Sequence, residues 1–104
     1  MIYQVVWSSF ASSQLEDVFD YYSQISQNVA KQIILQILSD TEKLKLNANL
    51  GQMEELLANR KTAYRYLISG NYRIIYTIKS EHNSILIADV FDSRQNPVKI
   101  SRSK

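Results

Sequence analysis

The chain has no cysteine, one histidine, two glycines and one proline among its 104 residues. Without cysteine there are no disulfides, no thiolate catalysis and no cysteine-ligated zinc or iron–sulfur centre, and a single imidazole, His82, cannot build a histidine-rich metal site. No metal or other cofactor is expected. So little glycine and proline argues against linkers and low-complexity tracts. Long apolar runs are missing as well: none approaches the roughly 20 residues of a membrane-spanning helix, and no membrane partner is expected. The opening residues, "MIYQVVWSSF", carry neither a basic segment nor a small-residue cleavage site, which predicts a cytoplasmic location. Any chemistry must come from arginine, lysine, tyrosine, aspartate or glutamate.

What remains is 45% apolar residues, enough for one modest core and one domain over residues 1–104. The net charge of +2 hides an asymmetry. Residues 1–59 hold three basic and seven acidic side chains (−4), and residues 60–104 hold nine basic and three acidic ones (+6). A basic half suits nucleic acid, an acidic partner protein, or no particular partner.

Periodicity predicts the elements. Ile2 to Trp7 is β-branched and aromatic and reads as a strand. Ser13 and Glu16 have capping-box spacing, and Leu15, Val18, Phe19, Tyr22 and Ile25 form one helical apolar stripe. With Asn28 as a second cap, Ala30, Ile33, Ile34, Ile37, Thr41 and Leu44 continue a stripe to about Leu46. A link as short as "SQN" implies an antiparallel helical hairpin. "MEELLA", inside the aperiodic stretch 47–63, has room for one or two helical turns. From Tyr64 the period becomes two: strands are expected at Tyr64–Ser69, Tyr72–Lys79 and Ser84–Phe91, joined by Gly70-Asn71 and by "SEHN". The sum is an α+β layer of helices on one face of a small, mostly antiparallel sheet, in the order β-α-α-β-β-β with a three-stranded antiparallel meander at the end.

"YRYLISGNYRIIY" places one arginine in each arm of a hairpin. A two-residue loop sets Arg65 opposite Tyr76 and Ile68 opposite Arg73, so the arginines fall on opposite faces. Extending the register puts Arg65, Leu67, Tyr72, Ile74, Tyr76, Ile78, Ile85, Ile87, Asp89 and Phe91 on the more apolar, core-facing side. The other side takes Tyr64, Tyr66, Ile68, Arg73, Ile75, Thr77, Lys79, Leu86, Ala88 and Val90. Arg65 and Asp89 are then the only charges on the core side of this meander, and a structural ion pair between them is expected because an isolated buried charge is very costly. Arg73, amid Tyr64 and Tyr66, is either a solvated cation or a group that binds phosphate or carboxylate and stacks on rings.

The order of elements, the helical stretch "LEDVFDYYSQISQNVAKQIILQIL", the hairpin "YRYLISGNYRIIYTI" and the ending "VFDSRQNP" resemble the RelE/ParE superfamily of bacterial type II toxin-antitoxin toxins over Ser9 to about Ile100. The resemblance implies a small toxin, of the kind linked to plasmid stabilisation, that is neutralised by a cognate antitoxin and arrests growth when freed. It also implies one of two mechanisms. RelE-like members are ribosome-dependent mRNA endonucleases that use basic residues on the open sheet face with a tyrosine or histidine. For that chemistry the matching positions are Arg73, Arg94, Tyr64 and Tyr66. ParE-like members act on DNA gyrase without cutting RNA. The lysines of RelE-like enzymes correspond here to Tyr64 and Tyr66, and the tail "QNPVKISRSK" supplies no tyrosine or histidine, so the resemblance leans to a non-enzymatic, ParE-like gyrase inhibitor. The alternatives are the endonuclease, with ribosome and mRNA as partners, and a non-toxic relic that only binds antitoxin. Partner contacts are expected at Tyr64, Tyr66, Arg73, Lys79 and Arg94, with antitoxin carboxylates meeting the +6 half.

Overall fold

The computed structural model describes residues 2–53 and 63–93. Strand β1 (Gln4–Trp7) is followed by helix α1 (Ser9–Ser23), helix α2 (Gln27–Glu42), a 3-10 turn over Lys43–Lys45, and strands β2 (Gln52–Met53), β3 (Arg65–Ser69), β4 (Tyr72–Lys79) and β5 (Ser84–Asp92). "MEELLA" from Glu54 onward lies outside the described residues.

The helices begin earlier than the sequence pattern suggests. Ser8 closes β1 by donating its backbone N–H to Ile87 O at 3.0 Å, and its hydroxyl accepts from Ala11 N at 3.0 Å, so the strand end and the helix cap are one residue. Ala11 is wholly buried in the core, which holds that first turn against the sheet. Ser13 is therefore no cap: its hydroxyl donates to Phe10 O at 2.8 Å from within the helix. Ser26, not Asn28, caps α2 by accepting from Val29 N. The α2 stripe runs as expected, with Ala30, Ile37 and Thr41 buried and Leu44 continuing it into the 3-10 turn.

The sheet order is β1-β5-β4-β3-β2, with β1 parallel to β5 and all other pairs antiparallel. The β3–β4 hairpin has the expected register, from Arg65 opposite Tyr76 to Ser69 opposite Tyr72. Gly70, at φ +58°, takes the positive-φ first position of the two-residue loop, where an L side chain would be strained. Asn83, at φ 49°, closes the β4–β5 turn.

One irregularity reverses the face assignment at the end of β5. Ile75 pairs with Asp89 but Tyr76 pairs with Ile87, leaving Ala88 as a bulge residue. Beyond it, Val90 joins Ile74 on the helix-covered face, while Asp89 and Phe91 turn to the face of Ile75 and Arg73. The expected Arg65–Asp89 ion pair is thus corrected: the bulge puts the two residues on opposite sides of the sheet. Two clusters result. The main core gathers Ala11, Ile37, Leu44, Ile74, Tyr76, Ile85, Ile87 and Val90 under the helices. A smaller one on the far face gathers Ile75, Ala88 and Phe91, with Tyr64 and Tyr66 packed against it.

Candidate functional site

Arg65 and Arg73 are held in quite different ways. On the helix-covered face the buried phenol of Tyr76 donates to Ala48 O at 2.8 Å and accepts from Gly51 N at 2.9 Å, while Arg65 Nη1 donates to Gly51 O at 2.8 Å. Three hydrogen bonds fasten the loop after α2 to the sheet. Glycine is required at position 51 for space: a Cβ there would lie 2.4 Å from Tyr66 O and 2.7 Å from the Tyr76 hydroxyl. Burial raises the Tyr76 pKa above its ordinary value, only partly offset by the Gly51 hydrogen bond and the nearby Arg65 charge. Arg65 is a loop anchor.

On the far face the Arg73 guanidinium lies 4.0 Å from the centroid of the Tyr66 ring, a cation–π stack, and its Nε is buried. The Tyr66 hydroxyl donates to Gln52 Oε1 at 2.9 Å, so β2 steadies the ring from the neighbouring strand. Beside this pair lie Ile75, Ala88, Phe91 and Tyr64, and Asp89, which is fully buried, with Oδ1 accepting from Val90 N at 2.7 Å. The patch is an aromatic platform with one planar cation, suited to stacking and to recognition of an anionic group.

The structure therefore brings Tyr64, Tyr66 and Arg73 together. Lys79 stands apart at the far end of β4, roughly 20 Å along the strand from Arg73, where it shares a shallow groove with Arg65, Thr77 and Glu81. His82 is exposed in the 3-10 turn Ser80–His82. Arg94 and the basic tail lie outside the described residues. So does the charge excess: residues 63–93 carry three basic and three acidic side chains. Gln52 and Gly51 were not legible as site residues; the only signal was a glycine in a sequence that has two. Among the described residues no cluster of His, Cys, Asp and Glu could hold a metal ion, and no helix is long and apolar enough to cross a membrane.

This arrangement of two helices on a five-stranded mixed sheet is shared with solved toxin structures. The chromosomal ParDE toxin-antitoxin system of P. aeruginosa superposes with a TM-score of 0.70 at 18% identity, over 88% of this chain and 96% of that one. The RelBE2 toxin-antitoxin complex of Mycobacterium tuberculosis gives 0.65 at 19% identity, over 88% and 92%. A double mutant of the E. coli toxin RelE in the free state gives 0.51 at 13% identity, over 98% of each chain. No curated protein sequence matches the chain. Residues 5–97 match the family of the ParE toxin of the type II toxin-antitoxin system, parDE. The chain belongs to the ParE toxin family.

Proposed function

We propose that this chain is the growth-arresting toxin of a type II toxin-antitoxin module and that it acts by binding DNA gyrase rather than by cutting RNA. The observation that carries the reading is the Arg73–Tyr66 stack. An endonuclease on this face needs cations clustered where phosphorane charge develops and a titratable group free to move a proton. Here Tyr64 and Tyr66 stand where the RelE-like resemblance expects lysines. Arg73 is flattened on Tyr66 with its Nε buried, and the Tyr66 hydroxyl is engaged with Gln52. Such a surface recognises a partner; it is poorly equipped to catalyse.

The partners on this reading are a cognate antitoxin, as in the ParDE and RelBE2 complexes that share the fold, and gyrase. Induction of the toxin in a susceptible host should produce double-strand breaks and a DNA-damage response, with translated messages intact. Growth arrest accompanied by ribosome-positioned cuts in messenger RNA and no breaks would replace this reading with the endonuclease one.

A further inference from the structure

Strand β4 outruns β3 at one end. The β3 pairing reaches only to Tyr76, opposite Arg65, whereas β4 runs on to Lys79 and stays paired there with β5. Beside this overhang the chain after α2 brings up Asn49 and Met53, and the space between them is a groove of about 440 Å³ lined also by Arg65, Ile78, Lys79 and Glu81. Sites for small molecules run from roughly 300 to 1,000 Å³.

Two half-buried cations share the groove. Arg65 Nη1 donates to Gly51 O at 2.8 Å, and Gly51 in turn donates its N–H to the buried Tyr76 hydroxyl, so one bond of the guanidinium fork holds the rest of it in place. Neither Arg65 nor Lys79 forms an ion pair with any described residue. Like charges at one partly buried site repel, and an anion between them relieves the repulsion. A phosphate monoester, carrying about −1.5 to −2 charges at pH 7, matches two cations where a carboxylate matches one. Alongside the cations, Ile78 and the exposed Met53 offer apolar surface, and Asn49 an amide. Glu81 is exposed and forms no ion pair with a described residue. A polyanion continuing out of the groove would meet that carboxylate; a compact ligand with one anionic end need not.

We infer that this groove binds a small phosphate monoester with a flat body, of which a mononucleotide is the representative: the phosphate lies on Arg65 and Lys79, and the base against Met53 and Ile78. Arg65 is on the opposite sheet face from the Arg73–Tyr66 stack, and the site does not rest on the gyrase reading.

The test is calorimetric titration of the purified full chain with adenosine 5′-monophosphate, adenosine, inorganic phosphate, and a short single-stranded oligonucleotide lacking terminal phosphates. The monophosphate should bind, and adenosine should bind about tenfold more weakly or worse, because it lacks the charge-assisted bonds to phosphate. Lys79→Met keeps the length of the apolar stem without its cation and should weaken monophosphate binding by about tenfold or more. Glu81→Gln removes the repelling carboxylate and should tighten binding by about two- to threefold, a gain that misfolding does not produce. Both variants should keep the circular dichroism spectrum and thermal midpoint of the parent. No binding at millimolar monophosphate, or undiminished binding by folded Lys79→Met, overturns the site. Inorganic phosphate binding as tightly as the monophosphate removes the role of Met53 and Ile78 and overturns the nucleotide assignment. The unphosphorylated oligonucleotide binding more tightly than the monophosphate gives the groove to a nucleic-acid backbone and overturns it too.

Discussion

The two faces of the sheet differ in how each spends an arginine. Under the helices, Arg65 is tied to a backbone carbonyl and belongs to the scaffold together with Tyr76 and Gly51. On the far face, Arg73 is tied to a ring and presents its cation beside an aromatic cluster. The same side-chain type in two arms of one hairpin thus anchors a loop on one side and stacks on a ring on the other. The difference comes from what each arginine neighbours: Arg65 reaches the Gly51 carbonyl of the loop after α2, and Arg73, opposite Ile68, lies diagonal to Tyr66 on the far face.

The strongest way to break this comparison is to ask whether the far face is open at all. Ile75 is only 1% exposed, as buried as Ile87 on the helix side. Ile75→Ala should therefore cost about 2–5 kcal/mol, the usual range for a buried isoleucine truncated to alanine, measured by urea denaturation. A loss below about 1 kcal/mol would mean a solvated face.

The loop anchor comes next. Tyr76→Phe leaves Ala48 O and Gly51 N without their shared partner in a buried site and should cost about 1–3 kcal/mol. Arg65→Ala, at a half-buried position, should cost about 1 kcal/mol. Because both side chains hold Gly51, the double variant should lose less than the sum of the two; additive losses would show that the two anchors act on separate parts of the loop.

A smaller effect depends on pH. Asp40, near the C-terminal end of α2, accepts from Gln36 Nε2 and Lys43 Nζ, each at 3.1 Å. Burial pushes its carboxyl upward. The hydrogen bonds and the Lys43 charge outweigh that, with the buried Ser69 hydroxyl adding to the pull without completing full hydrogen-bond geometry, and the pKa ends below its ordinary 3.8. A depressed folded pKa contributes stability above the unfolded value, and that contribution is lost as pH falls through the folded one. Asp40→Asn should thus destabilise the chain at pH 7 by about 1 kcal/mol, and the gap to the parent should narrow below pH 4. A gap that is constant with pH would locate the effect in packing instead of charge.

How far these features could be read from the sequence follows the regularity of each segment. β4, eight residues dominated by isoleucine and tyrosine with a glycine turn before it, was legible to its end residues, and with it the opposite faces of Arg65 and Arg73. The helical hairpin was legible from its stripes, but its starts were not. Ser8 caps by accepting from Ala11 N, with its own N–H held by Ile87 O of β5, a tertiary bond that local spacing does not reveal, while Ser13 with Glu16 imitates a capping box inside a helix. The bulge at Ala88 was the costly omission, since one extra residue moves every later side chain to the other face and took the Arg65–Asp89 pair with it. The break falls within "ADVF", where the consecutive residues Ala88 and Asp89 both lie on the far face before Val90 returns to the core. Of the site, Tyr64, Tyr66 and Arg73 were legible; Gln52 was not, because a two-residue strand carries no period.

The smallest stability change belongs to the patch on which the proposed function rests. Arg73→Lys keeps the charge but removes the planar guanidinium that lies on Tyr66, and at a partly exposed site the difference should be under about 1 kcal/mol. Growth arrest on induction should nevertheless weaken by an order of magnitude or more if the target is recognised through that planar, stacked cation. Tyr66→Phe supplies the counterpart: it retains the ring beneath Arg73 and loses only the hydroxyl bonded to Gln52. A binding toxin should tolerate it, with arrest close to that of the parent. If a folded Tyr66→Phe protein loses arrest while Arg73→Lys keeps it, the phenol is a proton-transfer group and not a stacking platform, and the mechanism to test is RNA cleavage.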